Sequence, residues 1–223
     1  SGLAKGEGTL RLTALWAGKP VGEKTIAVQD GFFTTQLDLE EIHLWEAGKG
    51  GLYTLLLSLE NDQVSSYFGL RTVAFQGRKF LLNGKPLFQR FVLDQGFYPD
   101  GIYTAPTEED LIRDITLSFA AGFNGARLHE KVFEPRFLYH CDRLGYLVWG
   151  EFPNWGLDHS HPLATEIVLN QWSEAVERDC NHPAIIGWCP FNETWGYHEE
   201  KEQNALLSSL YKLTKRLDPT RPC

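Results

Sequence analysis

The sequence predicts an antiparallel β-sandwich followed by part of a parallel α/β barrel, and three patterns carry that expectation. The first seventy or so residues alternate apolar and polar side chains between glycine-marked turns, strands alternate with amphipathic helices after Arg71, and the strand–helix units stop at four. In the first region Thr9-Leu10-Arg11-Leu12-Thr13, Lys24-Thr25-Ile26-Ala27-Val28 and Gly51 to Leu59 read as strands that keep one face dry. Ala17-Gly18-Lys19-Pro20 and Glu60-Asn61-Asp62 supply the turns. Five or six strands are expected in all, so an immunoglobulin-like sandwich is barely covered over residues 1–72, with room for a missing first strand.

Residues 73–223 change period. Val73 to Phe75, Lys79 to Leu82 and Asn83-Gly84 are read as a lead-in hairpin, the Asn-Gly pair supplying positive φ. A first barrel strand near Phe88 to Leu93 precedes a helix that opens at Thr107, carries Glu108, Glu109 and Asp110 in its first turn and closes at Gly122. The second strand, Asn124 to Leu128, precedes a helix from about Glu134 to Leu144, stopped by Gly145. The third, Tyr146 to Glu151, precedes a long helix ending before Asn181-His182-Pro183, and the fourth, Ala184 to Trp188, precedes a helix from about His198 to Leu217. A closed (β/α)8 barrel takes about 250 residues and eight units, so four units make half a TIM barrel. A doubly wound open sheet is the competing architecture. No glycine-rich nucleotide loop follows a strand, however, and Gly48-Lys49-Gly50-Gly51 stands before one.

Composition narrows the partners. Lys plus Arg is 21 against 29 for Asp plus Glu, a net charge of −8 that argues against nucleic acid or an anionic membrane as a partner. Cys141, Cys180, Cys189 and Cys223 form no CxxC pair and are read as free thiols, which leans toward a reducing, cytoplasmic compartment. No metal or cofactor is expected, because His159 and His161 stand two residues apart on a loop without a third ligand. The chain contains no methionine, which suggests a segment of something longer.

Function in either architecture gathers at the carboxyl ends of the parallel strands. Those ends read Asp94-Gln95-Gly96-Phe97-Tyr98, Arg127-Leu128-His129-Glu130-Lys131, Glu151-Phe152-Pro153-Asn154-Trp155 and Phe191-Asn192-Glu193-Thr194-Trp195. Carboxylates flanked by aromatic rings suit carbohydrate, since rings pack on the apolar faces of sugars and carboxylates bond hydroxyls or protonate a glycosidic oxygen. Trp149 and Trp188 fall inside strands and are assigned to the core, whereas Trp155 and Trp195 lie beyond strand ends.

Asn192-Glu193, preceded by Arg178-Asp179-Cys180-Asn181-His182-Pro183 and Ala184 to Trp188, resembles the acid/base signature of glycoside hydrolase family two, the family of β-galactosidases, β-glucuronidases and β-mannosidases. Gly51-Leu52-Tyr53-Thr54-Leu55, Phe68-Gly69-Leu70-Arg71, Leu82-Asn83-Gly84-Lys85-Pro86, Gly122 to Arg127 and Cys141-Asp142-Arg143-Leu144-Gly145 resemble its successive motifs in order. The resemblance implies that Glu193 is the general acid/base of a retaining mechanism, that Asn192 bonds a sugar 2-hydroxyl and that Arg127 orients the pocket carboxylates, with Glu151 and Trp195 as rim or subsite residues. The family pattern Arg-x-x-His is not kept, because His129 falls two residues after Arg127. The family's nucleophilic Glu comes from a later strand, beyond Cys223, so little turnover is expected of these residues alone. Two other readings stay open: a non-catalytic carbohydrate-binding or scaffold module, and an enzyme completed in trans. Open strand edges also predict self-association into a homo-oligomer.

Overall fold

The computed structural model describes residues 1–158, 161–193 and 200–223, with Pro162, Glu200 and Glu202 described by backbone alone. Two compact units are present, one of residues 1–45 and 51–70, the other of residues 46–50 and 71–223.

In the first unit β1 (Gly2–Ala4) pairs antiparallel with β4 (Gly31–Phe33), while β2 (Gly8–Trp16), β3 (Lys19–Val28), β5 (Tyr53–Leu59) and β6 (Asp62–Phe68) form an antiparallel sheet in the order β3-β2-β5-β6. Strict alternation along β2 buries Leu10, Leu12 and Ala14, and Val28, Phe33, Leu57 and Leu59 pack against the same face. Removing these side chains from water on one face drives the pairing. Tyr53 is fully buried, its ring stacked on Phe68 at 4.8 Å and its hydroxyl donating to the Glu41 carbonyl.

The second unit opens with a three-stranded meander, β7 (Val73–Gln76), β8 (Lys79–Leu82) and β9 (Lys85–Pro86). The reading of Asn83-Gly84 as the turn of the first hairpin is corrected here. Gly77, at φ 60°, makes the turn between β7 and β8, and Asn83 and Gly84, at φ 52° and 74°, make the next one. The parallel sheet follows in sequential order, β10 (Phe91–Asp94), β11 (Gly125–Leu128), β12 (Leu147–Glu151) and β13 (Ile185–Cys189). Between and after the strands run α1 (Glu108–Ala120), α2 (Pro135–Leu144), α3 (Pro162–Asp179) and α4 (Glu200–Leu217). Four strand–helix units in this order are part of a (β/α)8 barrel, and the described residues do not close it.

Local chemistry sets the helix ends. Thr107 caps α1 by accepting from the Asp110 amide, and Gly145 ends α2 at φ 74°. Between β12 and β13 each Trp faces a Gly: Trp149 lies opposite Gly187 and Gly150 opposite Trp188. A Cβ on Gly150 would stand 2.6 Å from the Trp188 ring, so the glycines are the space the indoles occupy. Trp188 is thus a core residue, 2% exposed, with Nε1 donating to Asp218, whereas Trp149 is half-buried, with Nε1 donating to Gln89. Trp172 of α3 meets Trp188 edge-on at 5.6 Å and donates to Thr214 of α4 at 2.7 Å, which fixes the outer helices on the sheet. At the amino end of β13, Arg71 donates to the carbonyls of Pro183 and Ile185 and Arg221 to those of His182 and Ile185. Burial, with the nearby Arg221 charge, pushes the Arg71 pKa down to about 9.

Candidate active site at the strand ends

Arg127, third residue of β11, is the hub of a hydrogen-bonded cluster at the carboxyl ends of β11, β12 and β13. Its neighbours across the sheet are Leu93 and Trp149. Its Nε donates to Glu151 Oε2 at 2.5 Å and its terminal nitrogen to Asn192 Oδ1 at 2.6 Å. Burial opposes the charge on Arg127, but the bond and charge of Glu151 outweigh it and hold the guanidinium pKa above its ordinary value. Glu151 is 1% exposed, and its other oxygen accepts from the Glu130 amide at 3.0 Å. Both oxygens are therefore engaged inside the protein, which makes Glu151 the anchor of Arg127 rather than a rim residue.

Asn192 is held from the other side. Its amide donates to Asn154 Oδ1 at 2.7 Å and its carbonyl accepts from Asn154 Nδ2 at 2.8 Å, a reciprocal pair buried at the centre of the cluster. Asn154 was not singled out in the sequence, and a lone Asn in the turn after a strand carries no signal of this pairing. Glu193, the next residue, is exposed and sits at φ 24°, in the left-handed region that side chains avoid. The buried clamp on Asn192 thus sets where the Glu193 carboxylate begins. Trp195 and His159 lie outside the described residues.

The departure at the end of β11 has a structural form. His129 is 5% exposed, receives a hydrogen bond from Gln95 Nε2 at 2.8 Å and meets the Trp155 ring edge-on, so it serves the packing of the wall. Glu130 stands instead beside Glu151, at φ 53°, with its carbonyl accepting from the Tyr103 hydroxyl and its Oε2 from the Trp155 amide. Burial and the Glu151 charge raise the Glu130 carboxyl pKa. Burial likewise pushes Cys189, 3.8 Å from Arg127, up to about 12, so its thiol is inert. Asp94 uses one oxygen to receive the Gly96 amide and shapes its own turn.

Among the described residues no group of His, Cys, Asp and Glu could hold a metal ion, and His161 caps α3 through Nδ1. Nor is any described helix long and apolar enough to cross a membrane.

Comparison with known proteins places the chain in a family. Residues 73–223 match the family model described as glycosyl hydrolases family 2, TIM barrel domain, and residues 7–71 match that of glycosyl hydrolases family 2. A β-galactosidase of Vibrio vulnificus is 31% identical over 97% of this chain and 22% of its own length. A β-glucuronidase of Rattus norvegicus is 32% identical over 84% of this chain and 30% of its own. The chain therefore spans less than a third of either curated relative. Among solved structures, the β-glucuronidase of Faecalibacterium prausnitzii superposes with a TM-score of 0.82 at 27% identity, covering 96% of this chain and 37% of that one. With both family models matched in order, and an Arg–Glu–Asn cluster gathered at the barrel strand ends, the chain belongs to glycosyl hydrolase family 2.

Proposed function

We propose that this chain carries the proton-transferring carboxylate of a retaining β-glycosidase acting on terminal β-galactoside or β-glucuronide bonds, and that Glu193 is that carboxylate. The observation that carries the reading is the clamp on Asn192. Two bonds from Asn154 and one from Arg127 fix the residue before Glu193, while Glu193 itself stays exposed beyond the end of β13. In the first step Glu193 gives its proton to the glycosidic oxygen as the bond to the anomeric carbon breaks; in the second it takes a proton from the attacking water. Asn192, its Oδ1 held by Arg127, donates from Nδ2 to the sugar hydroxyl next to the reacting carbon. Arg127 and Glu151 act as positioning residues. The nucleophile is assigned to no described residue, and Glu151, with both oxygens engaged, is not free to attack.

The test is Glu193→Gln in the full-length gene product, read against leaving group. Loss of a general acid costs about 10²- to 10⁴-fold. The deficit is expected in kcat/KM for an alkyl or methoxyphenyl β-glycoside and is expected to shrink for a dinitrophenyl β-glycoside, whose leaving group needs no proton. A nucleophile variant would lose both substrates alike, and that outcome, or unchanged turnover, overturns the assignment.

A further inference from the structure

Among the described residues, two buried side-chain polar atoms have no hydrogen-bond partner, Glu130 Oε1 and Asn192 Nδ2. They are joined by one chain of bonds. Asn192 Oδ1 accepts from Arg127, Arg127 Nε donates to Glu151, and Glu151 Oε1 accepts from the Glu130 amide. One unfilled acceptor and one unfilled donor therefore hang from opposite ends of the same ion pair. A buried polar atom without a partner is costly, and natural structures keep few of them.

The conformation of Glu130 is also over-determined. A residue with a Cβ at φ 53° is strained, yet its amide, its carbonyl and Oε2 are each tied, to Glu151, Tyr103 and Trp155. What those three ties leave over is the second carboxylate oxygen. Trp155, which gives its backbone amide to the carboxylate, is 55% exposed, with its ring edge-on against His129.

We propose that Glu130 is a glycone-contact residue whose Oε1 accepts a hydrogen bond from a hydroxyl of a neutral hexose, and that it sets a preference for neutral β-hexosides over β-hexuronides. This rests on the glycosidase reading above. A hydroxyl-bearing ring offers both a donor for Glu130 Oε1 and an acceptor for Asn192 Nδ2. A uronate would bring its own carboxylate toward Glu130 and Glu193, while Arg127 is already bonded to Glu151 and Asn192.

The test uses the full-length gene product and two variants. Glu130→Gln removes the charge and keeps the shape. Glu130→Gly removes the side chain at a φ that glycine adopts freely, so thermal stability should be kept or raised. For an aryl β-galactoside both variants are expected to lose about 10- to 100-fold in kcat/KM, the range for a hydrogen bond to a charged group, through KM more than kcat. For the matching aryl β-glucuronide the loss should be smaller, so the ratio of the two falls. An unchanged ratio in both folded variants, while Glu193→Gln shows the leaving-group-dependent loss given above, overturns the role of Glu130 and leaves the glycosidase reading standing. Should the unsubstituted protein turn over neither glycoside, that reading fails. Calorimetric titration with galactose and with glucuronic acid then decides Glu130 by itself: weaker galactose binding in both variants supports the contact, and unchanged or absent binding removes it.

Discussion

Replacing Glu151 by Gln changes one oxygen to NH2, and the structure says what that costs. Glu151 accepts two hydrogen bonds, from Arg127 Nε at 2.5 Å and from the Glu130 amide at 3.0 Å, and its side chain is fully buried. Glutamine has one acceptor oxygen, so in either orientation its NH2 must face one of these donors. The change loses one charge-assisted bond, about 1.5–3 kcal/mol, and leaves a buried donor facing a donor, about 1–3 kcal/mol. The Arg127 side chain is 34% exposed, so water can take over part of its solvation, and the sum is expected near the low end, about 2–4 kcal/mol. Urea denaturation followed by tryptophan fluorescence should register the loss, since Trp149, Trp172 and Trp188 all lie in the barrel unit. Arg127→Met should cost less when Glu151→Gln is already present, because the two share one bond. A change below about 0.5 kcal/mol for Glu151→Gln, or strict additivity of the pair, would refute the view that this ion pair anchors the site.

Two further outcomes follow from the frame around the site. Gly145→Ala should destabilise the barrel unit by more than about 2 kcal/mol, from left-handed backbone and overlap together; Gly145 has φ 74° and a Cβ there would stand 2.5 Å from the Glu46 carbonyl oxygen. A loss under about 1 kcal/mol by the same denaturation assay would mean that the Glu46–Gly50 turn gives way. Asp218 is partly desolvated, which raises its pKa, but Thr220, Arg221 and Trp188 together hold it below its usual 3.8. A depressed carboxyl stabilises the fold above its unfolded pKa, so this contribution should be lost as pH falls below about 4, and Asp218→Asn should flatten the acid limb of the stability profile. An identical acid limb in the variant would remove Asp218 from the account.

What could be read in the sequence is what short-range physics fixes. The Thr107 cap, the Gly145 stop, the alternation along β2 and the apolar strands β11 to β13 depend on residues within a turn or two of one another, and each lies where its local pattern puts it. The turn of the first hairpin was misassigned to Asn83-Gly84 because two adjacent glycine turns satisfy the same rule, and only the pairing of β7 with β8 and of β8 with β9 assigns each to its strands.

The strand ends named the residues Arg127, Glu151, Asn192 and Glu193 but not their relations. The bonds that make them a cluster span 24 residues from Arg127 to Glu151 and 65 from Arg127 to Asn192, and no local pattern encodes such pairs. Burial turned Glu151 from a rim residue into an anchor, paired Asn154 with Asn192, and turned His129 into the wall while leaving Glu130 one oxygen without a partner. The sequence determined which chemistry sits at the barrel mouth, since residue type and strand position are local properties. The tertiary structure decided which of those groups hold one another and which are left for a ligand, because desolvation and hydrogen-bond satisfaction are settled only when distant strands close on the same space.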